Sequence, residues 1–372
     1  MVKLLDIGEI ITGTTPSTKI KEYWGTGYPF VTPSDFTTDK YVNKTEREVT
    51  KTGAEKARLI PKNSVMVTCI ASVGEVAMAS EECVTNQQIN TIICKETINP
   101  HFIYYSMLFE KGRLKRWAGS TTSPIIKKSL FEKFLLSLPS LTEQQKIAEI
   151  LGTVDEAIQR VDEVIEKTKR LKQGLMKELL TKGIGHKEFK DSEIGRIPKK
   201  WEATKAEEVF CLEYGEGLVR SDRDNGKFPV FGSNGIVGYH SKYLIKGPGI
   251  IVGRKGTIGA VTWSEEDFWP IDTAYYINLK YKDINLKWLY YKLISLNLPK
   301  LNMATGVPGL NREIVHLLKF AIPLKEEQQE IVDILTTFDS KIETEKKRKE
   351  RLERIKKELM EELLTGKKRV KI

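Results

Sequence analysis

The second half of the chain repeats the first. Residues 139–183 align without a gap with residues 323–367, at an offset of 184 positions. Upstream the likeness weakens, first across a two-residue gap in a Gly/Ser/Thr loop, until only ASVGEVA at 71–77 and KGTIGAV at 255–261 can be matched. Because both copies of a repeat adopt one structure, this feature constrains the fold more than any other. The chain therefore carries two copies of one unit, nearly identical at their ends and divergent at their fronts.

The shared end of each copy is predicted to be a long helix with one apolar seam. Between Leu141 and about Lys182 there is no proline, and apolar residues recur at alternating steps of four and three, which is a heptad pattern. About 40 residues at about 1.5 Å each make a rod of about 60 Å. Thr142 with Gln145 fits a capping box, and Gly183 fits a C-terminal stop. The seam consists of Ile147, Leu151, Val154, Ile158, Val161, Ile165, Leu175 and Leu179 in the first copy, and of Ile331, Leu335, Phe338, Ile342, Leu352, Leu359 and Leu363 in the second.

Two seams of this length in one chain can bury each other, whereas a lone seam would stay exposed to water. We therefore predict a pair of long antiparallel coiled-coil helices with internal two-fold pseudo-symmetry. The alternative is two separate helices, each packed on its own domain. The interruption of the second seam by Glu345 and Lys349 is compatible with that alternative.

The front of each copy is predicted to be a globular module of the α+β class. Short strand-like runs are broken by turn signals in both modules, and a helix follows each sheet. The strand-like runs are 64–68, 90–94, 249–253 and 274–277, and the helices lie near 101–116 and 286–298. The predicted boundaries are 1–139 for the first module, 140–183 for its helix, 184–323 for the second module and 324–372 for its helix.

The charge of the chain points either to a polyanionic partner or only to solubility. Sixty lysines and arginines against 50 aspartates and glutamates give a net charge of +10, which favours a nucleic acid as partner. No apolar run approaches the roughly 20 residues that span a bilayer, and no secretory signal is visible. The four cysteines are scattered, so we interpret them as reduced packing residues and expect a cytoplasmic protein. They are Cys69, Cys83, Cys94 and Cys211.

The sequence lacks the motifs of an enzyme that acts on DNA. Residues 253–257 are too short and wrongly spaced for a phosphate loop, and no Gly-rich methyl-donor fingerprint follows a strand. The four histidines are isolated, which suggests neither a zinc site nor a Ser-His-Asp triad. We therefore expect no catalytic residue, no metal ligand and no cofactor in this chain, and a role in binding.

A basic stretch in the first module is the first candidate for DNA contact. Residues 111–128, KGRLKRWAGSTTSPIIKK, hold six cations and no acid. Cations beside a hydroxyl-rich loop suit contacts to the phosphate backbone, where they replace condensed counterions. A solvated amphipathic helix end is the alternative. The candidate residues are Arg113, Lys115, Arg116, Ser120, Thr121, Lys127 and Lys128, together with Gln87 and Gln88.

The matching stretch of the second module, residues 292–312, is less basic but richer in asparagine. An asparagine amide can read adenine edges in the major groove. Any one of these residues alone is more often an ordinary surface residue than a base reader, but as groups they predict a binding surface. The candidates are Lys300, Asn302, Thr305, Asn311 and Arg312, with Ser233, Asn234, His240, Arg254 and Lys255 upstream.

Three segments together resemble the specificity (S) subunit of type I restriction–modification systems over essentially the whole chain. The first is LLDIGEIITGTTPSTKIKEYWGTGYPFVTPSDF at 4–36, which is similar to the opening of a target recognition domain. The second is KDSEIGRIPKKWE at 190–202, which resembles the connector into a second recognition domain. The third is the repeated PSLTEQQKIAEIL and PLKEEQQEIVDIL entry into the helices. One departure is that the first module has no Ile-Pro-x-x-Trp connector of its own.

The resemblance implies a function that composition alone does not. Each recognition domain would read one half of a split target in double-stranded DNA, and the helix pair would set the unread gap. Two methyltransferase (M) subunits would dock, and two restriction/translocase (R) subunits would complete the complex. S-adenosylmethionine, ATP and Mg²⁺ would then belong to those partner subunits.

Two other classes of function stay open at the level of the sequence. One is a coiled-coil scaffold that does not bind DNA, which would show no salt-dependent binding to random duplex. The other is a self-sufficient nuclease or methyltransferase, which would act on DNA without partners.

Overall fold

The computed structural model describes residues 1–119, 124–301 and 309–370 of the chain. Ser120, Thr121, Asn302 and Thr305, four of the predicted contact residues, lie outside these ranges. The chain forms two compact units. Unit 1 comprises Met1–Asp162 and Lys347–Ile372, and unit 2 comprises Glu163–Lys346. Each long helix is therefore divided between the units, whereas the sequence analysis assigned each helix to a segment of its own.

Unit 1 consists of a mixed module and parts of both long helices. Its module has a five-stranded sheet in the order β2-β10-β7-β8-β4, a four-stranded sheet β5-β3-β9-β6 and the pair β1-β11. Its elements are β1 Val2–Lys3, α1 Leu4–Ile7, β2 Gly8–Thr12, β3 Trp24–Val31, β4 Tyr41–Val42, β5 Arg47–Val49, α2 Lys51–Glu55, β6 Leu59–Ile60, β7 Val65–Thr68, β8 Val76–Ala79, β9 Cys83–Thr85, β10 Ile89–Cys94, α3 Pro100–Phe109, α4 Lys111–Trp117, α5 Lys128–Phe131, β11 Leu135–Leu136 and the first part of α6 Leu141–Lys182.

Unit 2 repeats this organisation, with its strands divided among smaller sheets. Its sheets are β15-β21-β18-β19, β17-β16-β20, the hairpin β12-β13 and the pair β14-β22. Its elements are β12 Phe189–Ser192, β13 Gly195–Pro198, β14 Glu202–Lys205, α7 Ala206–Val209, β15 Phe210–Tyr214, β16 Phe228–Gly232, β17 Gly235–His240, β18 Gly249–Gly253, β19 Val261–Ser264, β20 Trp269–Pro270, β21 Ala274–Leu279, α8 Leu286–Ser295, α9 Arg312–His316, β22 Lys319–Ile322 and the first part of α10 Lys325–Leu364.

The two modules share one fold although their front sequences differ. The order β2-β10-β7-β8 in the first module equals β15-β21-β18-β19 in the second, and the parallel pair β3-β9 equals β16-β20. The predicted strands and the helices that follow them are confirmed. The sequence match between 71–77 and 255–261 is wrong by one residue, because Gly74 N donates to Thr68 O where Gly259 N donates to Gly253 O. The structural offset at this loop is therefore 185.

Each module is closed by its own apolar core. Strands β7 and β18 are buried along both faces, and apart from Thr68 at the end of β7 they contain no polar side chain and do not alternate. The largest fully buried side chains are aromatic and include Tyr105 and Phe134 in unit 1, and Trp201, Trp288 and Phe320 in unit 2. Burying a side chain of this size contributes about 2–3 kcal/mol relative to exposing it. The cysteines carry no disulfide, and Cys69 and Cys83 are buried in these cores.

In unit 1 the start of α6 packs antiparallel against the end of α10. Asp155 is 2.6 Å from Lys356 Nζ, and seven residues further along α6 Asp162 is 2.7 Å from Lys349 Nζ, seven residues back along α10. One residue number rises as the other falls, which defines an antiparallel pair. Seam residues complete the core of the first module; they are Ile147, Leu151, Leu359 and Leu363.

In unit 2 the end of α6 packs in the same register against the start of α10. Lys172 Nζ is 2.5 Å from Asp339, and this pair is the repeat equivalent of Asp155 with Lys356. The hydroxyl of Tyr291 donates to Asp339 at 2.7 Å, as Tyr105 does to Asp155 in unit 1. Seam residues again join the core of the module; they are Leu175, Leu179, Ile331 and Leu335.

The antiparallel pairing predicted from the heptads is thus confirmed within each unit, and the alternative of two separate helices is wrong. Val161 and Ile165 are buried. The remaining seam residues, Val154, Ile158, Phe338, Ile342 and Leu352, are half-buried. Lys349, which interrupts the apolar pattern, is accommodated by its ion pair with Asp162.

The ends of α6 show one correct and one wrong prediction. Gly183, at φ +69°, terminates the helix and donates its N–H to Leu179 O, as predicted. The predicted capping box is wrong, because the helix begins at Leu141. The residue that precedes it, Ser140, accepts the N–H of Glu143 at its hydroxyl, at 3.4 Å.

The connector that precedes the second module is fixed by a half-buried glutamate of α10. Glu327 accepts hydrogen bonds from Trp201 Nε1 at 2.8 Å and from Ile184 N at 2.9 Å. Its repeat equivalent in unit 1, Glu143, instead accepts two hydrogen bonds of 2.7 Å from the guanidinium of Arg369. The two units therefore anchor equivalent carboxylates with different groups.

Candidate nucleic-acid interface

Loops of the first module converge at one end of its five-stranded sheet. Gly13 N donates to Ile89 O at 3.1 Å, Cys69 N donates to Gln88 O at 2.7 Å, and Ile126 N donates to Cys69 O at 2.8 Å. These bonds hold four loops side by side, namely residues 12–15, 69–72, 86–88 and 124–127. We call this surface the first loop edge.

Loops of the second module converge in the same way. Gly215 N donates to Ala274 O at 3.1 Å, Arg254 N donates to Thr273 O at 2.9 Å, and Leu310 N donates to Arg254 O at 2.9 Å. The loops joined by these bonds are residues 214–217, 254–257, 271–273 and 309–312. The hairpin turn at 233–234 adjoins them, since Ser233 Oγ accepts the N–H of Thr257 at 3.4 Å. We call this surface the second loop edge.

Equivalent glycines allow the chain to turn at both loop edges. A Cβ at Gly13 would lie 2.2 Å from Asn86 O, and a Cβ at Gly215 would lie 2.3 Å from Pro270 O. Neither distance is possible for a real side chain, so both turns require glycine. The same backbone frame is therefore built twice, and only the side chains on it differ.

Several predicted contact residues lie on the loop edges. In the first, Gln87 is exposed and its Oε1 accepts the hydroxyl of Thr15 at 2.7 Å, whereas Gln88 is half-buried and bonds to Asn86. Lys127 is exposed at its rim. In the second, the predicted residues on this edge are Ser233, Asn234, Arg254, Lys255, Asn311 and Arg312, and Lys300 is exposed in the turn that follows α8.

Other predicted residues are engaged within the protein. Arg113 pairs with Glu110 at 2.9 Å, lies 4.2 Å from the ring centroid of Phe134 and donates to Leu135 O. It holds α4 in place rather than facing outward. Lys128 is 3.6 Å from Glu132. Lys115 and Arg116 of α4 are exposed.

In the second module, His240 lies against the Trp269 ring and 3.2 Å from the Asp224 carboxylate, with little exposed surface. The Oδ1 of Asn311 accepts the N–H of Glu313 and caps α9. A helix cap is an alternative to the base-reading role predicted for this amide.

The basic stretch of the second module also contains one cation that cannot reach a ligand. Lys292 is buried, donates to Leu180 O at 2.8 Å and has no acidic partner among the described residues. Burial lowers the pKa of Lys292 to about 8. Its inclusion in a DNA-binding stretch is therefore wrong, and its position on the core face of α8 explains why.

Two groups at the loop edges were missed by the sequence analysis. Arg58 donates from Nη1 to Thr12 O at 2.8 Å and brings an exposed cation to the first edge. Tyr214 ends β15 at the second edge, with about half of its surface exposed. Neither lies in a basic run, so local composition gave no signal. The alternation of β15 does place Tyr214 on the same face as Leu212.

The described residues hold no cluster of metal-ligating side chains. No group of three or more His, Cys, Asp or Glu among them is arranged to hold a metal ion. Burial raises the pKa of the thiols of Cys69, Cys83 and Cys94 to about 12, which keeps them protonated at neutral pH. Within the described parts of the chain, no helix is long and apolar enough to cross a membrane.

The fold and the two loop edges define a duplicated protein in which one recognition frame carries two different surfaces. A family model described as the type I restriction modification DNA specificity domain matches residues 1–169 and 198–354. The chain therefore belongs to this family, and it is a type I restriction–modification specificity subunit. The prediction of a non-catalytic subunit is confirmed by that membership.

Relatives of known identity agree with this assignment. The chain is 28% identical to the specificity subunit of the type I restriction enzyme MjaVIII from Methanocaldococcus jannaschii, over 100% of this chain and 93% of that one. It is 31% identical to the MjaIX specificity subunit of the same organism, over 66% of this chain and 58% of that one. The EcoprrI specificity subunit of Escherichia coli is 24% identical, over 88% and 84%.

Solved structures share the fold. The S subunit of a type I restriction–modification system from M. genitalium matches with a TM-score of 0.64 and 17% identity, covering 98% of this chain and 95% of that chain. A chain from a structure on complex assembly and conformational transition of the type I system gives a TM-score of 0.61 at 15% identity, with coverage of 98% and 96%.

Proposed function

We propose that this chain selects a bipartite target in double-stranded DNA, each loop edge reading one half-site. One observation carries the proposal: the same loops are joined by the same backbone hydrogen bonds in both modules, while the side chains on them differ. A repeated frame with divergent side chains suits two sites that bind one kind of ligand in two sequences. The net charge of +10 suits a polyanion.

The helix pair is proposed to set the gap between the half-sites and to dock two methyltransferase subunits. Its register is fixed in each unit by a lysine–aspartate pair that joins the two copies, Asp155 with Lys356 and Lys172 with Asp339. Repeat-equivalent surfaces on the two helices would present the same docking site twice. Two restriction/translocase subunits would add to this core, and the partners would bind S-adenosylmethionine, ATP and Mg²⁺ in the cytoplasm.

The test begins with the purified chain and random duplex DNA at a series of salt concentrations. A DNA-binding subunit should show a linear fall of log affinity with log salt, whereas a scaffold that ignores DNA should show no binding at any salt. Incubation with DNA, Mg²⁺, ATP and S-adenosylmethionine should give neither cleavage nor methylation. Product from the pure chain would favour a self-sufficient enzyme instead.

Selection itself is tested in the complex with the methyltransferase subunit. Methylation of a library of duplexes should recover two short sequence blocks separated by a gap of fixed length. A single uninterrupted block would contradict the division of reading between the two modules.

A further inference from the structure

Three structurally equivalent positions at the loop edges carry different kinds of side chain in the two modules, small and uncharged in the first, aromatic or cationic in the second. Tyr214 and Tyr275 are the last facing pair of the β15–β21 ladder, and Thr12 and Asn90 are the last facing pair of β2–β10. The third position is Arg254 in the second module and Cys69 in the first. Cys69 N donates to Gln88 O, just before β10, and Arg254 N donates to Thr273 O, just before β21.

In the first module the three positions form a small neutral cluster. Thr12 Oγ1 donates to Asn90 Oδ1 at 2.7 Å. Cys69 and Asn90 are both buried. The three side chains are uncharged, and the cation beside them is Arg58, which donates to the backbone carbonyl of Thr12.

In the second module the same positions form a stack of rings and guanidinium groups. The ring of Tyr214 contacts two arginines, with its centroid 4.6 Å from Cζ of Arg254 and 4.9 Å from Cζ of Arg312. The ring of Tyr275 contacts that of Tyr214, with the ring centroids 5.1 Å apart. The hydroxyl of Tyr275 donates to Leu310 O at 2.9 Å, which fixes the ring. Such cation–π contacts hold a guanidinium plane in one orientation.

The Arg254 guanidinium is held on one side and available on the other. Its Nη1 donates to Asp272 O at 3.1 Å, which engages one of five N–H donors. Arg312, in contrast, is paired with Glu313 at 3.1 Å. A planar fork with a fixed orientation and free donors is the group that matches guanine O6 and N7 in the major groove.

We propose that Arg254 reads a guanine in the half-site bound by the second module, with Tyr214 and Asp272 orienting its guanidinium plane. Arg312 also packs against the Tyr214 ring and acts as a positioning residue. The first module, with Cys69 in this place, makes no such contact, so the two half-sites differ at the base read here. This inference rests on the proposed DNA-reading function.

The test uses the full chain assembled with its methyltransferase subunit and a duplex library randomised in both half-sites. Arg254→Ala should relax the preference for one G·C pair in the second half-site by roughly 5- to 150-fold and leave the first half-site unchanged. Arg254→Gln replaces the fork by an amide that suits adenine, so the preference at that pair should move from G·C toward A·T. Arg220→Ala, which removes another exposed arginine of the same module, is the matched control. It should weaken binding to all sequences alike.

The outcomes separate this inference from the proposed function. If the wild-type complex selects no half-site, the proposed function fails. If the wild type selects both half-sites and Arg254→Ala lowers affinity equally for all sequences, Arg254 contacts phosphate and the inference is refuted. An unchanged base preference in both Arg254 variants refutes it as well. Thermal unfolding of each variant checks the fold, and Arg254→Gln, which keeps the length of the side chain, gives a second reading if the alanine variant is unstable.

Discussion

Lengthening the helix pair by one heptad should widen the gap in the DNA target, provided that the insertions preserve the ion pairs. Glu163 and Lys347 are repeat equivalents. Seven residues inserted after each leave Asp155–Lys356 and Asp162–Lys349 entirely on one side, and Lys172–Asp339 entirely on the other. Insertions after Gln173 and Lys357, which are also repeat equivalents, would instead separate partners of these pairs by one heptad. The structure therefore identifies where the helix pair can be lengthened without changing its register.

The expected change follows from helix geometry. Seven residues at about 1.5 Å each add about 10 Å, which is about three base pairs at about 3.4 Å per pair. The seam stays in phase, since seven residues restore the heptad. Both half-site sequences should remain the same, because no residue of either loop edge changes. The target should therefore have the same two blocks with about three more unread base pairs between them.

The assay is methylation of a duplex library in which the gap between the wild-type half-sites varies from two pairs fewer to six pairs more. The control carries the seven-residue insertion in α6 alone, which displaces the partners of one set of ion pairs by about two helical turns. It should lower the stability of the protein without producing a new preferred gap length in the target. A gap that stays at its wild-type length in the doubly extended protein would refute the spacer role of the helices. A change of the half-site sequences would refute the separation of reading from spacing.

Three further predictions concern single contacts. Burial lowers the pKa of Lys292 from 10.5 to about 8, so the unfolded chain binds more protons than the folded one between those pH values. The unfolding free energy of the wild type, measured by urea titration, should therefore rise relative to that of Lys292→Met by about 1 kcal/mol per pH unit across this window. A difference that does not change with pH would contradict this. Asp155→Asn should lower the unfolding free energy by about 1–3 kcal/mol and Asp339→Asn by about 1 kcal/mol, because the side chain of Asp155 is 24% exposed and that of Asp339 is 42% exposed. Equal losses of stability in thermal melts would contradict the dependence on exposure. Lys115→Ala combined with Arg116→Ala should reduce the slope of log affinity against log salt by about 2 on any duplex, whereas an altered half-site preference would mean that these residues read bases.

The parts of the fold that depend on local pattern could be predicted from the sequence. The heptad spacing from Ile147 to Leu179 predicted a long helix, and runs such as 249–253 predicted strands. The helix stop at Gly183 was predicted correctly because it needs only a residue that tolerates φ +69°. The capping residue was not, since Ser140 and Thr142 are both plausible caps and only the position of the first helical turn decides between them.

The candidate site was less predictable because it is assembled from distant segments. Arg254 and Tyr214 are 40 positions apart, and only the β15–β21–β18 ladder brings them together. The residue types alone could not separate Arg254 from Lys292 of the stretch 292–312, although α8 turns the Lys292 side chain into the core. A basic residue is informative only once the face on which it lies is known.

The interruption of the second seam shows the same limit and has a further consequence. Lys349 breaks the apolar pattern of α10 when that helix is considered alone, yet it is matched by Asp162 of α6. The repeat equivalents of this pair are Ile165 and Lys346, which cannot form an ion pair. If two α10 helices paired in the same register, Lys349 of one would face Lys346 of the other, and like charges at close range are unfavourable. The ion pair therefore favours pairing of α6 with α10 over pairing of two α10 helices. This preference depends on both helices and cannot be predicted from the sequence of either one alone.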